Sequence, residues 1–217
     1  MAVARAAAGV KVPAARERST GPRRRTLALL AFLGTLLALG AWSSCASVVT
    51  PPKDPPDPVE VRLLSTGRHA GLLLPVGDGR TVEYGYGEWS WYALAKDDWW
   101  RAPAVVLWPT QGTLGRRYVL DADLAAMRGS YGAGTLAVLR VSRASVERLL
   151  ARLDAAFAAG GEPRFHALYD MEFVKHAEGF WMLHDCHDEV AEWLEQIGCD
   201  VSWAPVRVGL RVVDEGP

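Results

Sequence analysis

Alternating and helical runs of apolar residues divide residues 59–213 into a strand-rich first half and a second half with two well-marked helices. Val59-Glu60-Val61-Arg62-Leu63-Leu64 alternates as a half-buried strand does. Ser65-Thr66-Gly67 is turn material, and Arg68–Leu74 predicts a second strand ended by Pro75. After the turn residues 76–80, Thr81–Tyr86 predicts a third strand returning beside the second. Gly85 and Gly87 are poor strand formers, and their place beside a strand end points to a bulge or a close backbone approach. Glu88–Trp100 predicts a helix carrying four of the nine tryptophans. Its aromatic face suits a core or, in the case of Trp89, a groove wall for sugars or acyl chains.

Residues 103–109 are apolar and are assigned to no element, and Thr110–Gly115 reads as loop. Arg117–Asp121 and Thr135–Val141 predict strands around the glycine-rich turn Gly129–Gly134. Ser142 then caps a helix over Arg143–Ala159, with Val146, Leu149, Leu150, Leu153 and Phe157 on one face. Arg164–Leu183 is weakly patterned, and Val201–Val213 predicts one short strand or extended tail. The mixture is an α+β fold.

The sharpest pattern lies between these last two stretches. Val190, Trp193, Leu194 and Ile197 fall at helical spacing, with Glu189, Glu192 and Glu195 on the opposite face and Gly198 as the stop. Asp185 predicts the N-cap, with Asp188 three residues on as in a capping box. Cys186 therefore starts the helix, where unpaired N–H groups and the helix dipole favour an anion such as a thiolate. A cysteine there is otherwise a small buried apolar residue.

Charge changes the picture at the N-terminus. The net charge of −1 hides seven basic residues and one acid in residues 1–44, a net of +6, against −7 in the rest. An acidic body without a Lys/Arg cluster argues against nucleic acid as a partner. The basic stretch runs into the uncharged, apolar Thr26–Gly40, the layout of an export signal. Trp42-Ser43-Ser44-Cys45 resembles the lipobox of bacterial lipoproteins, with Trp42 where that motif has Leu, and implies Cys45 as the lipidation site. A plain signal anchor is the alternative. Ala46, by resemblance to the lipoprotein sorting rule, implies an outer-membrane protein facing the periplasm. The expected organisation is a leader over 1–45, a proline-rich tether over 46–58 and one domain over 59–217.

An exported chain makes a disulfide the default expectation for Cys186 and Cys199. They lie 13 residues apart at opposite ends of the helix, roughly 19 Å at ~1.5 Å per residue. A disulfide needs Cα atoms within about 7 Å, so both thiols are expected free. A thiolate nucleophile needs a base within hydrogen-bond reach and a group to orient that base. The histidines are His69, His166, His176, His184 and His187. His187 neighbours Cys186 in sequence, but successive helix residues point about 100° apart. His69 lies on a strand beside one that leads to Glu83 and Glu88, the layout of a Cys-His-Glu site.

His69-Ala70-Gly71, Gly85-Tyr86-Gly87-Glu88 with Trp91-Tyr92 after it, and Cys186 before Trp193, Leu194 and Gly198 together resemble a family of bacterial exported proteins. Its members are often encoded in urease gene regions and are grouped as a domain of unknown function. The resemblance covers about residues 59–205. The same order, histidine strand first and cysteine helix last, resembles the circularly permuted papain-like fold of the NlpC/P60 superfamily, an antiparallel sheet packed against a C-terminal helix bearing the cysteine. The resemblance implies Cys186 as nucleophile, His69 as base and Glu83 or Glu88 as orienting group. Gly71, Tyr86, Trp89 and His187 would line the substrate groove. Such folds cleave amides or esters, or transfer acyl groups, with peptidoglycan peptides and lipids as common substrates, and need no cofactor. Ala70, Tyr86 and Glu88 stand where the family has Thr, Trp and Asp, and Asp185 and His187 where it has Thr and Asn.

Two other readings compete. His184, Asp185, Cys186 and His187, with His176 upstream, offer ligand types that zinc accepts, although positions i, i+1 and i+3 of a regular helix do not converge on one ion. An envelope lipoprotein using a papain-like shell only for binding is the non-enzymatic reading.

Overall fold

The computed structural model describes residues 26–27, 29–35, 46–66, 69–96, 100, 105, 107–124, 135–204 and 206–213. Two units separate at residue 40. In the first, the described residues between 26 and 35 are helical, with Leu27, Leu29, Leu30, Phe32 and Leu33 exposed. Among the described residues no helix is long and apolar enough to cross a membrane. Cys45 lies outside the described residues.

The second unit is α+β, with sheet dominant. Its strands are β1 (Ser47–Thr50), β2 (Pro58–Ser65), β3 (Ala70–Gly77), β4 (Arg80–Glu88), β5 (Thr110–Leu120), β6 (Thr135–Ser142), β7 (Arg164–His166), β8 (Met171–Phe180), β9 (Asp200–Val201) and β10 (Leu210–Val212). The helices are α1 (Trp89–Tyr92), α2 (Arg143–Ala159) and α3 (Cys186–Gln196). A seven-stranded sheet runs β6-β2-β3-β4-β5-β8-β7, and every neighbouring pair in it is antiparallel.

Alternation along these strands sorts the apolar side chains onto two faces. Val61, Leu63, Leu72, Leu74, Val82, Tyr84 and Tyr86 meet Val146, Leu149 and Leu153 of α2 and Val190, Trp193 and Leu194 of α3 in one core. Each fully buried Leu or Val there contributes about 1.5–3 kcal/mol over exposure. Leu64, Leu73, Leu124 and Leu136 form a smaller cluster on the other face.

Four stretches depart from the sequence expectations. The helix expected over 88–100 is one turn, Trp89–Tyr92, with Ala95 at φ 51°, and residues 97–99 lie outside the described residues. The expected loop 110–115 is the first half of an eleven-residue strand paired with β4 from Glu88↔Gly112 to Arg80↔Leu120. Gly115 permits this, since a Cβ there would collide with Phe173 and Met171. The weakly patterned 164–183 supplies β7 and β8, which are held by pairing at the edge of the sheet and are buried only at Met171, Phe173 and Val174. The stretch expected as a tether opens with β1, which pairs parallel with β10 and antiparallel with β9.

Candidate active site

Local sequence builds the start of α3. Asp185 stays extended, and its Oδ1 accepts from the N–H of His187 at 2.7 Å and of Asp188 at 3.3 Å. Asp188 Oδ2 accepts from the Asp185 N–H at 3.2 Å, which completes the capping box. Arg207 donates to Asp188 Oδ1 at 2.6 Å and anchors the cap to the C-terminal segment. Cys186 is the first helical residue, 5% exposed, and Cys186 and Cys199 are both free thiols.

The imidazole that meets the thiol is His187, with Nδ1 3.7 Å from Cys186 Sγ. The regular-helix argument that keeps neighbours apart fails at this position. The first two helical residues have no preceding turn beneath them, so their side chains are free to fold back toward the cap. His187 Nε2 lies 3.2 Å from the carbonyl oxygen of Thr66. A carbonyl only accepts, so Nε2 carries the proton of that hydrogen bond, and Nδ1 of the neutral ring is left as an acceptor facing the thiol. Asp185 Oδ1 stands 3.5 Å from the same Nδ1. Burial pushes the His187 pKa down, but hydrogen bonding to Asp185 and Cys186 and their charges outweigh it and hold it at about 11. The set holds an imidazolium beside the Cys186 sulfur.

His69 lies directly before β3, tied by its N–H to Thr66 Oγ1 at 2.9 Å. Thr66 thus contacts both histidines. The His69 ring lies against the backbone of β3 and β4, where a Cβ on Gly85 would stand 3.1 Å from its Cε1 and one on Gly71 3.6 Å from its Nε2. Its Nδ1 is buried without a hydrogen-bond partner among the described residues. Burial, then the positive charges of His187 and Arg117, push its pKa down to about 4, so the ring is neutral at pH 7.

Strand register decides between the two glutamates. Leu73 faces Glu83 and Gly71 faces Gly85. Glu83 Oε1 comes within 3.3 Å of the position of a Gly71 Cβ, the same spot that His69 Nε2 borders. Arg117 grips Glu83 Oε2 with Nε and a terminal nitrogen, each at 2.6 Å. Burial pushes the Glu83 carboxyl up, against the pull of Arg117. Glu88 is employed elsewhere, as the N-cap of α1, accepting from the Trp91 N–H at 2.6 Å.

The expected groove residues do not gather in one place. Gly71 borders His69, and His187 touches Cys186. Tyr86 is buried among His176, Phe180 and His184, while Trp89 lines a cleft of about 450 Å³ with Lys175 and Gly160–Arg164. Sequence reasoning missed Tyr92, whose ring is 6.0 Å from that of His69. Burial, then the charges of Cys186, Tyr169 and Asp185, raise its pKa. A Cβ on Gly87 would strike the Tyr92 ring, which explains the glycine beside this strand end. Arg117 and Thr66 were also missed, since nothing local marks an arginine or a backbone carbonyl as a partner.

The four adjacent residues expected around one ion fall into two groups. Donor atoms of Asp185, Cys186 and His187 lie within 4.8 Å of one another, and so, separately, do those of Glu178, His184 and Glu189. Glu189, expected on the solvent face of α3, is 2% exposed and accepts from the Trp193 indole N–H at 2.8 Å. The signal was available: a buried indole needs an acceptor, and Glu189 precedes Trp193 by one helical turn. No protein-family model matches the chain, and neither a curated protein nor a solved structure is significantly similar to it.

Proposed function

We propose that the chain is an exported, papain-like thiol hydrolase or acyltransferase acting on an amide or ester of the cell envelope, a peptidoglycan peptide or a lipid. The observation that carries this reading is the 3.7 Å contact between Cys186 Sγ and His187 Nδ1 at a capped helix N-terminus. Nδ1 takes the thiol proton, with Thr66 O holding the tautomer and Asp185 stabilising the imidazolium. The thiolate then attacks the carbonyl carbon, and the imidazolium returns the proton to the departing amine or alcohol, leaving a thioester on Cys186. Water or another acceptor attacks that thioester, loses its proton to His187 and regenerates the thiol.

His69, to which the family pattern assigns the base role, becomes the second imidazole of the site. Neutral, and with Nδ1 lacking a hydrogen bond, it is the polar group available to a bound substrate. Glu83, gripped by Arg117, orients it across Gly71. The exposed apolar side chains at 27–33 fit a leader that inserts into a membrane, with Cys45 as the lipid attachment point.

One observation favours the non-enzymatic reading: Cys186 is only 5% exposed. Rates of alkylation by iodoacetamide at neutral pH separate the two. We expect His187→Ala to slow modification of Cys186 by about 100-fold and His69→Ala to slow it less. Equal rates in wild type and His187→Ala would leave a shell without a catalytic thiol.

A further inference from the structure

On the far side of the Cys186 cap, a second polar cluster connects β8 to α3. Glu178 lies on β8, and His184 ends the turn that follows, held by reciprocal backbone hydrogen bonds with Trp181 at 3.2 and 3.0 Å. Glu189 lies in the first turn of α3. His184 Nε2 stands 3.0 Å from Glu178 Oε2 and 3.2 Å from Glu189 Oε2. These are ion-pair distances, but His184 Nε2 and Glu189 Oε2 are both buried and, among the described residues, neither has a well-directed hydrogen bond. Glu189 is almost fully enclosed, its side chain 3% exposed.

We infer that Glu178, His184 and Glu189 bind a divalent transition metal, zinc by the chemistry of the donors. An ion at ~2.0–2.2 Å from each donor in tetrahedral geometry spaces the donors roughly 3.3–3.6 Å apart; His184 Nε2 stands 3.0 and 3.2 Å from the two carboxylates, and all three donors lie within 4.8 Å of one another. It also draws the lone pairs toward the ion, which fits close donor atoms that lack a well-directed hydrogen bond to one another. Two carboxylates neutralise the charge of the ion, which suits a site walled by protein. Imidazole selects against calcium and magnesium, which take oxygen ligands.

The surroundings provide the outer support that a ligand set needs. The Trp193 indole occupies Glu189 Oε1 and turns Oε2 toward His184. The Tyr86 ring packs edge-on against His184 at 5.4 Å and fixes the plane of the imidazole. Glu178 is 63% exposed along its side chain, so the fourth position opens to solvent, as in zinc sites that keep a water. The site shares no donor with Cys186 and does not depend on its chemistry.

The test uses the full chain in detergent, stripped with a chelator and titrated with Zn²⁺ by calorimetry and with Co²⁺ by absorption. We expect one ion per chain, no thiolate-to-cobalt charge-transfer band, and a Tm raised by Zn²⁺. Glu178→Ala, at an exposed position that spares the fold, weakens binding by more than about 100-fold and abolishes the Tm shift; Cys186→Ser changes neither. Absence of stoichiometric binding in the wild type overturns the inference. So does binding that survives Glu178→Ala but is lost in Cys186→Ser with a charge-transfer band, which places the ion on Asp185, Cys186 and His187.

Discussion

Cys186 and Cys199 mark the two ends of one buried helical segment, and their exposures are nearly equal at 5% and 6%. At the first end the thiol meets an imidazole and a capping carboxylate at a helix N-terminus. At the second it joins the apolar core, and burial alone pushes its pKa up to about 12. The difference teaches that burial by itself does not decide what a thiol does. Polar groups brought to it decide.

The largest expected effect compares the two thiols directly. A thiol with a pKa of about 12 is almost wholly protonated at pH 7.5, so Cys199 should label at least about 100-fold more slowly than Cys186. Mass spectrometry of the labelled peptides over time reads the ratio, and comparable rates would erase the distinction between the ends.

The second effect is acid sensitivity confined to the polar end. His69 titrates near 4 in the fold against 6.5 unfolded, a lowered value. The unfolded chain therefore takes up the proton first, and stability present above pH 6.5 is lost as pH falls toward 4, by up to about 3 kcal/mol. Urea unfolding at pH 7.5 and pH 5 should show this loss in the wild type and a smaller one in His69→Gln. An identical loss in both would mean that His69 is not held neutral.

The smallest effect sharpens the role of the cap. Asp185→Ala should cost about 1 kcal/mol, whereas Asp185→Asn should keep most of that stability, because asparagine also caps. Alkylation of Cys186 in Asp185→Asn then isolates what the carboxylate charge contributes at His187. If both variants lose the same stability in thermal unfolding, the cap hydrogen bonds of Asp185 do not support α3.

Much of this was legible beforehand where the signal is local. The span of α2, the Asp185–Asp188 capping box and the burial of Val190, Trp193, Leu194 and Ile197 follow from helical spacing and side-chain chemistry within a few residues. Strands β2 to β4 were readable because each is bounded by turn residues and linked in series. Strands β5 and β8 were not, because pairing inside the sheet makes a strand of residues that carry no alternation of their own. The contact of His187 with Cys186 escaped because a rule for helix interiors was applied to a helix end.

By itself, then, the sequence determined that a free thiol starts a capped, amphipathic helix behind an antiparallel hairpin, since caps, periods and turns act over a few residues. Only the tertiary structure decided which imidazole meets that thiol, that Glu83 comes to the Gly71 position beside His69 while Glu88 caps a helix, and that Glu189 is enclosed beside His184. Those outcomes depend on strand register and on which side of a strand or helix end each side chain leaves. On the strands, a shift of one residue in register sends each side chain to the opposite face.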